Sequence, residues 1–223
     1  MGSLLLTAGH KDMRYALPNA IASLPMDWHG AGTVGRNVLD AIVTHIGRRG
    51  PIERSVETGS GKTTLLLSHL SPHHTVFAVD AGQSISRVRA SELFNVRSTT
   101  FIEGPTQRTL PRQYFSGQHQ FVLIDGPHGY PFPDLEYFFL YPTIATSGLL
   151  VLDDLLIPTI GRMFDVIKQE AMFELLEVVD DNTAFFRRTT APVIDPDSDS
   201  WWLQGYNQPY YDKIVPPSTR TTG

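Results

Sequence analysis

The sequence predicts an α/β fold in which a mostly parallel sheet carries helices on both faces and ends in an antiparallel hairpin. Three observations predict it. From residue 51 onward, short apolar and β-branched runs alternate with helical stretches, which is how βαβ units read in one dimension. A glycine-rich turn lies directly between the first such run and the helical stretch after it. Near the end, two strand-like runs flank Asp180-Asp181-Asn182, a turn-prone tripeptide that marks a hairpin.

The elements follow in chain order. Residues 1–50 form an N-terminal helical segment or lid, with one helix starting near Pro18 and a clearer one carrying Val38, Leu39, Ile42, Val43 and Ile46 on a single stripe. Gly47 and Gly50-Pro51 end that helix and turn the chain. Residues 51–189 are the core. Ser55-Val56-Glu57 closes strand one, and a helix over 63–70 follows it. Strands are predicted over 75–79, 99–102, 121–124 and 149–152, and helices over 84–94 and 134–141. Thr146-Ser147-Gly148 is read as the turn before strand five, and 173–179 with 183–188 make the hairpin. Residues 190–223 read as a non-periodic tail, with prolines at 192, 196, 209, 216 and 217 among Trp201, Trp202, Tyr206, Tyr210 and Tyr211. Its aromatics could pack on the domain, cover the active site or meet another subunit, and packing is the default for large rings.

Composition narrows the function. With 41% hydrophobic and 18% charged residues in 223, the chain can bury one sizeable core. A formal charge of −5 leaves no electrostatic footprint for nucleic acid, so the expected partners are small molecules or proteins, and a homo-oligomer stays open. The absence of cysteine excludes disulfides, thiolate metal sites and Cys nucleophiles, and allows a reducing compartment. Leu4-Leu5-Leu6 is too short for a signal core, and no apolar run reaches the roughly 18 residues of a membrane span, so a cytoplasmic protein is expected. Leu6 breaks the myristoylation pattern that Met1-Gly2 would begin.

The turn Glu57-Thr58-Gly59-Ser60-Gly61-Lys62-Thr63 joins a strand to a helix. Two glycines there let the backbone approach a ligand closely, and the helix N-terminus offers free N–H groups. Gly61-Lys62-Thr63 also looks like the end of a nucleotide P-loop, which would make the chain an ATP-binding protein. That loop requires a glycine five positions before Gly61, where Val56 stands, so this is the weaker alternative. Asp80 follows the apolar run of strand two, at the sheet edge where open α/β folds bind ligands, and can accept both hydroxyls of a ribose. The plain alternative is a helix-capping carboxylate. Glu103-Gly104-Pro105 ends strand three at the corresponding edge.

Asp125 after strand four and Asp153-Asp154 after strand five converge if those strands are neighbours. Three carboxylates repel unless protonated or bound to a cation, and Mg²⁺ or another hard divalent ion is the natural partner. Asp after a strand also commonly caps the next helix, which is the simpler account. His128, on the same loop, is a candidate general base, with a structural role equally ordinary. His73-His74 is expected to face solvent, and Met26-Asp27-Trp28-His29-Gly30 is read as a packing motif or a lid over the substrate.

Taken in order, Glu57-x-Gly59-x-Gly61, the Asp125-Gly126-Pro127-His128-Gly129-Tyr130 segment and Asp153-Asp154 resemble class I S-adenosylmethionine-dependent methyltransferases, in the branch with Asp-Gly-x-His-x-Tyr and Asp-Asp motifs. The resemblance covers roughly residues 53–189 and departs in Pro105 and in Thr146-Ser147-Gly148, where the family has Pro-Gly-Gly. It implies a Rossmann-like, seven-stranded sheet with S-adenosylmethionine as cofactor. The cofactor's methionine end would lie on Glu57, Gly59, Ser60, Gly61 and Thr63, its ribose on Asp80, and its adenine near Glu103 and Gly104. Asp125 and Tyr130 would complete that pocket. It further implies a metal at Asp125, Asp153 and Asp154 that activates the hydroxyl of a small-molecule acceptor, with Asp125 and His128 catalytic. A non-catalytic cofactor-binding protein of the same fold remains the third reading.

Overall fold

A computed structural model describes residues 11–25, 28, 34–115 and 117–215. Met26, Asp27, His29 and Gly30 of the lid reading, the N-terminal Met1-Gly2 and Leu4-Leu5-Leu6, and the Pro216-Pro217 end of the tail lie outside those residues. The elements are α1 (Lys11–Ala22), α2 (Arg36–Arg49), β1 (Arg54–Thr58), α3 (Lys62–Leu70), β2 (His73–Ala78), α4 (Ser84–Ala90), β3 (Thr99–Glu103) and α5 (Thr106–Thr109). They continue with β4 (His119–Ile124), α6 (Phe132–Leu140), β5 (Ile144–Leu152), α7 (Pro158–Ile167), β6 (Phe173–Val179), β7 (Thr183–Arg188) and α8 (Gln208–Ile214).

The seven strands form one sheet in the order β3-β2-β1-β4-β5-β7-β6. Strands β1 to β5 pair in parallel, and β7 runs antiparallel to both β5 and β6. The order reverses between β1 and β4, so the crevice beyond their carboxyl ends is where such a sheet takes its ligand.

The strands are nearly continuous apolar runs because both faces are covered. Val122, Ile124, Leu150, Leu152 and Phe186 face one layer with Met163 of α7, while Phe121, Leu123, Leu149, Val151 and Phe185 face the other with Leu39, Ile42 and Leu66. Successive residues point to opposite sides, which assigns each half of Phe121-Val122-Leu123-Ile124 to its own core. Ile21 of α1 is fully buried in the second layer, so the N-terminal helices pack on the sheet rather than standing off it. Among the described residues, no helix is long and apolar enough to cross a membrane.

Five expectations are corrected. Pro18 lies inside α1 rather than at its start, where Leu17, Ile21 and Ala22 pack into the second layer and hold the helix past the proline. Thr146-Ser147-Gly148 is not a turn but an irregularity within β5, which begins at Ile144; the register slips between His119 and Phe121, and Ser147 takes φ 63°. Helix α4 stops at Ala90, with Ser91 extended, so that Leu93 and Phe94 can join the apolar layer beside Phe101. His74 does not face solvent: it is buried in β2, level with Ser55, whereas His73 is exposed. The tail, read as non-periodic, contains a turn at Trp201–Leu203 and α8, with Trp201 against Trp202, Tyr210 and Tyr211.

Candidate active site

A cleft of about 560 Å³ opens at the carboxyl ends of the parallel strands. Its floor is the glycine turn. Gly59 sits at φ 83°, and a Cβ there would stand 2.1 Å from the carbonyl oxygen of Asp125, so only glycine lets β1 and β4 end this close together. Gly61 N–H donates to Thr64 Oγ1 at 2.9 Å, and that hydroxyl donates to Glu57 Oε1. Ser60 Oγ and Ser84 Oγ, 2.8 Å apart, tie the turn to α4. Gly59, Ser60, Gly61 and Thr63 all line the cleft.

Glu57 lies beneath the turn rather than in the wall. It is fully buried, and its second oxygen, Oε2, has no partner among the described residues. His74 Nε2 approaches Oε1 at 3.3 Å, and His74 Nδ1 lies 2.8 Å from Ser55 Oγ. A buried acceptor of this kind calls for a donor from ligand or water. Lys62, the residue that suggested a P-loop, donates its ammonium to the carbonyl of Leu24 at 2.9 Å. Lys62 also lines the cleft, but its ammonium is engaged by the segment after α1.

At the next two strand ends the structure is more selective than the sequence. Val79 and Ala81 line the cleft, but Asp80 is exposed at its rim and accepts from Ser86 N at 3.1 Å and Ser86 Oγ at 2.5 Å. Those two bonds hold its carboxyl below the usual carboxylate range. Gly104 lines the cleft at φ 140°, whereas Glu103 turns outward to Arg89 at 2.7 Å. Tyr130 also points outward; it is 69% exposed, with the Arg162 guanidinium 5.1 Å over its ring. Each outward side chain meets an arginine on the solvent side.

The acids close the other end. His128 Nε2 lies 3.1 Å from Asp154 Oδ2 and 3.8 Å from Asp125 Oδ1, and one donor atom from each of the three residues falls within 4.8 Å of the others. Asp153 lines the cleft but is held away from that cluster by Thr183, whose hydroxyl donates to its Oδ1. The converging set is therefore Asp125, His128 and Asp154, with His128 where Asp153 was expected. Both acids line the cleft, and Asp154, at φ 63°, is the one that reaches the cluster.

Burial, then the neighbouring Asp153 and Asp154, push the Asp125 carboxyl well above its ordinary range. Asp125 first, and Asp154 after it, raise His128. The pair shares protons and titrates as one system. Burial also raises Asp153. The residues fit a divalent cation chemically: the two carboxylates opening onto the cleft suit Mg²⁺ or Mn²⁺, and the imidazole favours a first-row transition metal over Mg²⁺ as the ion it would itself ligate.

Comparison with known proteins follows this geometry. Residues 56–155 match a family described as a methyltransferase domain. The matched stretch runs from the glycine turn to the acid cluster.

No curated protein matches the chain in sequence. Among solved structures, the domain is similar to the O-methyltransferase TomG from Streptomyces achromogenes, in complex with SAM, at 14% identity and TM-score 0.57, covering 84% of this chain and 93% of that one. It is similar to the SAH-bound methyltransferase PaMTH1 of Podospora anserina at 16% identity and TM-score 0.56, covering 81% and 89%. The mycinamycin-pathway methyltransferase MycE, in complex with Mg, SAH and mycinamycin VI, aligns at 16% identity and TM-score 0.53, covering 82% of this chain and 56% of MycE.

The cleft also presents residues that the motifs did not single out. Thr106 and Gln107 line the cleft beyond Gly104, and Thr106 Oγ1 and Gln107 Oε1 are buried without partners among the described residues. The signal available in sequence was only their position after strand three. Among the described residues the tail contributes none to the cleft; it docks on the α7–β6 connection, where Gly205 N donates to Glu170 Oε2 at 3.4 Å.

Glu136 was not anticipated either. It is 1% exposed on α6, accepts from Thr58 Oγ1 at 2.7 Å, and stands where a Cβ on Gly126 would be. Thr58 Oγ1 in turn accepts from Asp125 N–H at 3.1 Å, so Glu136 underpins the acid loop. Burial lifts its pKa from 4.5 to about 7. Between those values the folded chain keeps a proton that the unfolded chain has released, so stability falls as pH rises across that window and is lowest above it. A shift of that size corresponds to roughly 3 kcal/mol. Glu136→Gln should therefore equal the wild type near pH 4 and exceed it near pH 8 by up to that amount in urea unfolding. A difference between the two proteins that does not change with pH would remove this account.

Proposed function

We propose that the chain transfers the methyl group of S-adenosylmethionine to the hydroxyl of a small-molecule acceptor, assisted by a divalent cation at Asp125, Asp154 and His128. The observation that carries the proposal is the convergence of those three side chains at one end of a cleft whose floor is the glycine turn. TomG, PaMTH1 and MycE, each described with SAM or SAH, support the cofactor, and MycE supports the cation and the small acceptor. The cleft is in the size range of small-ligand sites.

S-adenosylmethionine, when bound, supplies an electrophilic methyl group. Its amino-acid end would rest on Gly59, Ser60, Gly61 and Thr63, whose backbone offers close approach and N–H groups, with Glu57 Oε2 as the acceptor beneath an ammonium or a water. Thr106 and Gln107 offer unpartnered polar atoms to the adenine beside Gly104. Glu103 and Tyr130 are not part of this set, because both face outward.

A bound divalent cation would lower the pKa of an acceptor hydroxyl. Asp125 and Asp154 would hold and orient the acceptor oxygen, with Asp153 adding negative charge behind them. With the cation held through its imidazole, His128 would be a ligand and solvent would carry off the hydroxyl proton; without a cation, His128 would take that proton itself, since the two carboxylates favour its charged form. Holding the nucleophile in line with the methyl group supplies much of the rate.

The test is calorimetry with S-adenosylhomocysteine followed by methyl transfer to a panel of hydroxyl acceptors, with and without EDTA. Binding plus transfer that stops in EDTA and returns with Mg²⁺ is expected. A specific observation supports a second reading: the imidazole Nε2 already lies 3.1 Å from Asp154 and 3.8 Å from Asp125, so transfer at full rate in EDTA would assign the chemistry to His128 alone. Binding without any transfer would leave a cofactor-binding protein, and binding of ATP in place of S-adenosylhomocysteine would overturn the proposal.

Asp80 belongs to the proposal through its unused lone pairs. An ionised carboxylate accepts about four hydrogen bonds, and Ser86 supplies two, which leaves room for ribose hydroxyls lying against Val79 and Ala81. Asp80→Ala should weaken S-adenosylhomocysteine binding by about tenfold or more. Unchanged affinity with lowered stability would show that Asp80 only caps α4.

A further inference from the structure

The turn between β6 and β7 reaches the acid cluster from outside the motifs that carry it. Asn182 is part of the cleft wall, and both ends of its amide are engaged. Nδ2 donates to Asp154 Oδ1 at 3.1 Å, while Oδ1 accepts from Leu156 N–H at 3.2 Å. Its backbone carbonyl accepts from Leu155 N–H at 2.9 Å. The β6–β7 turn is thereby joined at three points to the loop after β5.

Asp154 needs such a hold. It sits in the left-handed region at φ 63°, with its side chain about one-third exposed, and among the described residues the hydrogen bond to its carboxylate comes from Asn182. With Oδ1 held by Asn182, Oδ2 faces His128 at 3.1 Å. Asp180 and Asp181, at φ 52° and 54°, put the turn itself in the same unusual conformation, which is the kind of backbone a surrounding structure must over-determine. Asp180 Oδ1 accepts from Asn37 Nδ2 of α2 at 2.7 Å, anchoring the far side of the turn.

We infer that Asn182 is a positioning residue for the transfer reaction: it fixes the Asp154 carboxylate so that one oxygen faces His128 and the acceptor end of the cleft. The inference rests on the proposed roles of Asp154 and His128. Outer partners that orient such ligands commonly matter by 10 to 100-fold. Asn182→Asp keeps an acceptor for Leu156 N–H and removes the donor to Asp154; Asn182→Ala removes both.

Two measurements test it. In steady-state kinetics, both variants should lower kcat by about tenfold or more while the KM for S-adenosylmethionine, the S-adenosylhomocysteine affinity and the thermal midpoint of Asn182→Asp change little. Asn182→Ala added to Asp154→Ala should cost nothing further, because the residue it orients is already gone. Independently of turnover, the ¹⁵N resonances of the His128 imidazole should move in Asn182→Ala in the same direction as in Asp154→Ala. Unmoved His128 resonances, or losses that add in the double variant, would overturn the inference. Moved resonances in a wild-type protein that binds S-adenosylhomocysteine but transfers no methyl would keep the positioning role and remove the proposed reaction.

Discussion

Gly59→Ala should abolish measurable S-adenosylhomocysteine binding and destabilise the fold by about 3 kcal/mol. The added Cβ would lie 2.1 Å from the Asp125 carbonyl oxygen, an atom of the backbone that no side-chain rotation can move. Relief requires β1 and β4 to part at their carboxyl ends, where Thr58 and Ile124 are in register, and the φ of 83° is itself unfavourable for alanine. The strain falls where the two halves of the site meet, since Gly59 belongs to the glycine turn and Asp125 to the acid cluster. Urea unfolding and calorimetry on the same preparation separate the two losses. A Gly59→Ala protein that binds S-adenosylhomocysteine as the wild type does would remove the glycine turn as the cofactor's seat.

Asp125→Asn should lower kcat by about 10² to 10⁴-fold while changing S-adenosylhomocysteine affinity by only a few-fold. The amide keeps the shape of the side chain and leaves the Asp125 N–H to Thr58 bond in place, so the loop should keep its course. What is lost is the charge. Asp125 is the first cause of the raised pKa of His128, so its removal should lower the imidazole toward ordinary values. If His128 must be unprotonated to act, activity rises with pH through its pKa, and in Asp125→Asn that rising limb should move to lower pH. A pH–rate profile displaced upward, or a kcat within twofold of wild type, would take Asp125 out of the chemistry.

The order of elements was legible in the sequence because its signals are local. The apolar runs of β2, β4 and β5 are buried and so read without interruption, and the β6–β7 hairpin was found residue for residue from its Asp-Asp-Asn turn. Helix α7 escaped notice although Ile160, Met163 and Ile167 carry a helical spacing of buried positions. The irregularity at Ser147 and Gly148 resembled a turn because glycine and a left-handed residue serve both. Only pairing with β4 distinguishes the two.

For the site, the sequence alone determined which residues stand at the carboxyl ends of neighbouring strands: Gly59, Gly61, Gly104, Asp125, Asp153 and Asp154. Spacing along the chain is enough for that. Direction was decided by tertiary structure. Glu103 and Tyr130 face outward and meet Arg89 and Arg162, Thr183 holds Asp153 back, and His128 joins Asp125 and Asp154 in its stead. Glu136, His74 and Asn182 come from elements distant in sequence, and their partners are 78, 17 and 28 residues away. A side chain's orientation is a competition among hydrogen-bond partners and charges that meet only when the chain has folded, so a local pattern can name the candidates but not the winner.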